Sequence, residues 1–107
     1  MSKNLVKPLV LRTFNAAALV AGFLPINALG LDGPCFTLTL TNSSNVAVTF
    51  SFDGVNAHDY LLPNSSKTLY APMSFLGEFS GWRKGLVVSV SGAAGAGLIY
   101  LTGYYQD

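Results

Sequence analysis

The strongest constraint in this chain is a two-residue alternation that begins at Phe36. Phe36, Leu38 and Leu40 alternate with Thr37, Thr39 and Thr41, and Val46, Val48, Phe50 and Phe52 alternate with Ala47, Thr49 and Ser51. Successive side chains of an extended strand point to opposite faces, so each run offers one apolar face to a core and one polar face to water. The Asn42-Ser43-Ser44-Asn45 cluster between them is turn chemistry, and the pair reads as a β-hairpin. Asp53-Gly54 closes the second run, Pro63-Asn64-Ser65-Ser66 makes the next turn, and Leu86 to Ser91 alternates again. Gly92-Ala93-Ala94-Gly95-Ala96-Gly97 then reverses the chain as a flexible hairpin connection into a last strand. There Leu98, Tyr100 and Tyr104 share one face and Ile99, Leu101 and Tyr105 the other, so both faces are expected to be covered. Turn signals every 8–12 residues with no amphipathic helix after residue 36 predict an all-β fold. The expectation is a single small β-sandwich, jelly-roll-like, of about six to eight short antiparallel strands, with a domain at 13–107 behind an N-terminal arm at 1–12.

The 107 residues make one domain, with a core large enough to need no disulfide or metal staple. Half of them are apolar and 10% are charged, against about 25% charged in an ordinary soluble domain. Such a surface is soluble when much of it is buried against neighbours. Net charge of +1 and a pI near 7.9 lack the basic footprint of a nucleic-acid binder, and no nucleic-acid or membrane partner is expected. The N-terminus is nevertheless basic, with Lys3, Lys7 and Arg12 all preceding the first acid, Asp32. The uncharged run Thr13 to Leu31 imitates a secretory signal, but Asn15, Gly22, Pro25 and Asn27 interrupt it, which favours a folded segment over a membrane span. A strand is preferred at 15–23, although Ala16 to Ala18 with Asn15 as cap suit a helix. Pro8 removes a ladder donor and puts its segment at a sheet edge or outside the sheet.

Chemistry is sparse. Lone Cys35 reads as a small buried hydrophobe. His58 and Asp59 are sequence neighbours on extended chain and diverge, so they make a poor base and orienter pair for a serine triad. The glycine-rich stretch has no following helix to hold a phosphate, and five acids are too few to single out a glycosidase pair. Asn42-Ser43-Ser44 and Asn64-Ser65-Ser66 match the N-glycosylation tripeptide but read as turns. No catalytic residue, cofactor or metal ligand is assigned, and the chain is expected not to be an enzyme. Tyr100, Tyr104 and Tyr105 suit an aromatic platform, with core and interface packing the simpler use. Ala71 to Gly85 is unusually apolar for a loop. Met73, Phe75, Leu76, Phe79, Trp82 and Arg83 are therefore candidate interface residues, together with Lys3, Lys7 and Arg12 of the arm.

The runs Leu11-Arg12-Thr13-Phe14-Asn15-Ala16-Ala17-Ala18-Leu19, Gly33-Pro34-Cys35, Thr41-Asn42-Ser43-Ser44-Asn45-Val46, Ser51 to Tyr60 and Ser91 to Gly97 before Tyr104-Tyr105 resemble a family of small tailed-bacteriophage virion proteins. The apolar Ala71 to Gly85 stretch departs from that pattern. The resemblance implies a non-enzymatic β-rich subunit of the phage particle, binding other virion proteins and copies of itself as a homo-oligomer. Its place would be the head-tail junction or tail, or the capsid as a decoration protein. The alternative of another class is a secreted or membrane-anchored β-sandwich binding module, with residues 1–30 as signal or anchor.

Overall fold

The computed structural model describes residues 6–70 and 82–106. Among these residues nine strands form: β1 (Val6–Pro8), β2 (Arg12–Asn15), β3 (Leu24–Pro25), β4 (Cys35–Asn42), β5 (Val48–Ser51), β6 (Asp59–Leu61), β7 (Ser65–Tyr70), β8 (Ser89–Gly92) and β9 (Leu98–Gln106). They build two antiparallel sheets. In the first the order is β1-β9-β4-β7, with β2 also pairing with β9, and in the second it is β3-β8-β5-β6. Apolar residues that alternate inward close the space between them: Leu38, Leu40, Ile99 and Leu101 from one sheet, Val48, Phe50 and Val90 from the other, and Val88 just before β8, all at most 1% exposed. Burying each such side chain stabilises the fold by about 1.5–3 kcal/mol.

The alternation gave the inward face from Leu38 onward, whereas at Phe36 the register shifts, Cys35 takes the buried place and Phe36 stays outside the core; two connections also are not the hairpins it predicts. β4 pairs with β7 and β9 whereas β5 pairs with β6 and β8, so Asn42 to Asn45 carries the chain from one sheet to the other. The reason is Asn42, which is fully buried at the corner. Its amide donates to the carbonyls of Val46, Leu61 and Leu62, and its oxygen accepts from the Ser44 amide and hydroxyl, tying this corner to the β6–β7 turn. The glycine-rich stretch likewise crosses between sheets, from β8 to β9, and it is bonded rather than loose. Gly95 N–H donates to Ala16 O, Ala96 N–H to Asn45 Oδ1, and Gly97 O accepts from Ala16 N–H. Gly97 takes φ +115°, and an added Cβ there would lie 2.7 Å from the backbone of Ser43 and Ser44.

Residues 6–31, the source of the signal or anchor alternative, instead supply three strands and the core residues Leu9, Ala16, Leu19, Ile26 and Leu31. Within 15–23 the structure has the end of β2 followed by a 3-10 turn at Ala16–Ala18, with Asn15 accepting from Ala17 N–H as cap, in place of the preferred strand. No helix among the described residues is long and apolar enough to cross a membrane. β1 lies at a sheet edge, as Pro8 requires. The outer face of β9 is open, contrary to expectation, with Tyr104 half exposed.

Candidate interaction surface

The candidate interface residues fall in different places. Lys3, Met73, Phe75, Leu76 and Phe79 lie outside the described residues. Arg12 turns off the sheet to meet Asp32 at 3.3 Å, and the same carboxylate receives Val10 N–H. Lys7 sits opposite Tyr105, Tyr105 opposite Cys35, and Cys35 opposite Trp82, so one rank across the end of the first sheet links Lys7 to Trp82. The Cys35–Trp82 bridge is made by reciprocal backbone bonds of 2.8 Å, and the Trp82 side chain packs partly on the core. Arg83 follows on the exposed turn to Leu86, with no side-chain partner among the described residues.

Trp82, Arg83 and Leu86 face Phe52, Asp53 and His58 across an open cleft of about 440 Å³. Its far wall is a self-contained loop. The Asp53 carboxylate accepts from the backbone N–H groups of Asn56 and Val55, then from the Asn56 side chain and Ser51, and these bonds hold it well below the usual carboxylate range. His58 Nδ1 accepts from Phe52 N–H, and Nε2 lies 3.8 Å from Asp53. Asp59 turns the other way to Lys67 Nζ at 2.7 Å, so His58 and Asp59 do diverge. Cys35 is fully buried beside Gly33 O, and burial followed by the charge of Asp32 pushes its thiol up to about 11. Among the described residues no three His, Cys, Asp or Glu side chains gather where a metal could sit.

A second surface was not singled out from the sequence. Register puts Tyr70, Thr37 and Tyr104 in one rank on the outer face of the first sheet, Thr68, Thr39 and Thr102 in the next, and Ser66, Thr41, Tyr100 and Thr13 in a third. Every one of these side chains carries a hydroxyl. The outward parity of β4 and β9 was legible, but that of β2 and β7, and which strands adjoin, was not.

The eight strands β2 to β9, in orders 2-9-4-7 and 3-8-5-6 with the chain crossing repeatedly between sheets, define a jelly-roll β-sandwich. The Bacillus endospore appendages, described as a novel family of disulfide-linked pili, have this fold in common with the chain: 17% identity, TM-score 0.51, covering 98% of this chain and 91% of theirs. The crystal structure of PirA is a looser likeness, at 8% identity and TM-score 0.39 over 98% and 95% of the two chains. No protein-family model matches the sequence, and no curated protein matches it. The likeness to the endospore appendages overturns the bacteriophage reading. The likeness is to appendage subunits, so the phage resemblance, the head-tail or tail adaptor role, capsid decoration and location in a virion are withdrawn.

Proposed function

We propose that this chain is a non-enzymatic building subunit of a surface appendage or fibre that polymerises with copies of itself. The observation that supports the reading is the likeness to the endospore appendage subunit, which spans nearly the whole of both chains. The composition agrees, since half the residues are apolar and few are charged. Trp82 and Arg83, an aromatic anchor beside a guanidinium with no partner among the described residues, are the described residues best suited to a contact between subunits.

One feature departs from a disulfide-linked pilus. A covalent polymer needs each subunit bonded to two neighbours, and these 107 residues contain one cysteine, buried and with its thiolate disfavoured. Contacts between copies of this chain would therefore be non-covalent. Electron microscopy of the concentrated protein, with and without reductant, tests the reading: filaments or rings insensitive to reductant are expected. A monomer by light scattering at every accessible concentration would overturn it.

A further inference from the structure

We infer that the outer face of the β7-β4-β9 layer is a binding face for a neutral, extended β-linked polysaccharide. The inference is independent of the appendage reading. It starts from what this face lacks. By register, the charged side chains on the strands of this sheet lie off it: Lys67 pairs opposite Leu40 and reaches into the other sheet for Asp59, Arg12 opposes Leu101, and Lys7 opposes Tyr105. Exposed sheet surfaces ordinarily carry such charges, which keep them soluble and discourage sheet-to-sheet association.

What the face has in their place is a lattice of hydroxyls. Neighbouring members of a rank are about 4.8 Å apart and successive ranks about 6.8 Å apart, from the strand spacing and two residue rises. The first of these is close to the advance of one sugar along an extended chain. Thr39 and Thr68 bond to each other at 3.2 Å, and the remaining hydroxyls of the three ranks have no protein partner among the described residues. They are open to a ligand that both donates and accepts, as a sugar hydroxyl does. In the first rank Tyr70, 75% exposed, and Tyr104, 50% exposed, flank Thr37, and their rings can pack on the apolar C–H faces of sugars two units apart.

Alternatives of other chemistry fit less well. An anionic polymer or nucleic acid would find no cation here. An apolar partner would strip water from hydroxyls without replacing their hydrogen bonds. A neutral polyhydroxylated ribbon matches the face in charge, hydrogen-bonding capacity and shape.

The test uses the full chain incubated with microcrystalline cellulose and with chitin, reading depletion from the supernatant. Binding to one or both is expected, unchanged by added salt because no ion pair is involved. Tyr70→Ala with Tyr104→Ala should weaken it roughly tenfold, the loss of two aromatic contacts. Thr102→Lys, in the middle rank, should abolish it while leaving the β-sheet circular dichroism unchanged, and Thr39→Ser should retain it. Arg83→Ala, off this face, should bind as the parent does. No depletion onto either polymer, or depletion that salt reverses, would overturn the inference. So would a self-associated chain that Thr102→Lys converts to monomer, since that outcome gives the face to a second copy.

Discussion

Asn42 shows how much one side chain decides in a small sandwich. It is fully buried, and its amide group meets three carbonyls and two donors from two segments of chain. Asn42→Ala leaves those carbonyls unpaired in the interior, and we expect a loss of about 3 kcal/mol, read as a lower urea midpoint. Asn42→Asp should cost more, because an acceptor-only group would face carbonyl oxygens. The same burial excludes the Asn42-Ser43-Ser44 tripeptide as a glycan acceptor in the folded chain. Cys35 gives a pH signature. Its folded-state pKa is raised from 9.0 to about 11, so the unfolded chain loses its thiol proton first as pH rises. The contribution is complete below 9.0 and is lost progressively between 9.0 and about 11. Thermal unfolding across that window should show a decline that Cys35→Ala removes, and a thiol reagent should not label the native protein.

At the scale of elements, the first sheet is assembled around β9, which pairs with β1, β2 and β4. β1 and β2 share it end to end. Where they part, Leu9 N–H bonds to Gly103 O and the Leu9 side chain drops into the core. Gly103 makes that possible. A Cβ there would lie 2.5 Å from Thr37 O, 2.9 Å from Leu38 Cδ2 and 3.1 Å from Leu9 Cδ1, the first being backbone that cannot yield. Gly103→Ala is expected to destabilise by about 2 kcal/mol through overpacking and to weaken hydrogen-exchange protection first at Leu9. The opposite edge uses charge. Lys67 on β7 points between the sheets to Asp59 on β6, an inward charge that discourages strand addition at the open edge.

At the scale of the molecule, two sheets close on one core and leave surfaces with separate characters. The end near Trp82 and Arg83 has an aromatic side chain, a cation with no partner among the described residues, and a cleft. The outer face of the first sheet has three ranks of hydroxyls across β7, β4 and β9, with Leu98 beyond the last of them. If the first is the contact between subunits, Arg83→Ala should lower the association constant with no change in the unfolding midpoint, because that side chain is exposed and without a partner among the described residues. Trp82→Ala should disperse the assembly and leave the sheet dichroism in place, since the Cys35–Trp82 bridge is made by backbone atoms. Analytical ultracentrifugation of the two variants checks both, and unaltered association would return the residues to a purely structural role.

The sequence by itself determined the class of the fold and the faces of its strands. Period-two alternation at Leu38 to Leu40, Val46 to Phe52 and Ile99 to Leu101 is a local property, and the core follows from it, whereas the bulge that leaves Phe36 outside the core was not legible. Which strands become neighbours is not local. Asn42-Ser43-Ser44-Asn45 has the composition of a hairpin turn, and only the closing of β6 against β5 supplies the carbonyls that draw Asn42 inside and send the chain to the other sheet. The glycine-rich stretch reads as flexible because its partners, Ala16 and Asn45, lie far away in sequence. For the same reason the hydroxyl face was invisible along the chain. Its threonines and tyrosines come from β2, β4, β7 and β9, and tertiary pairing alone places them side by side.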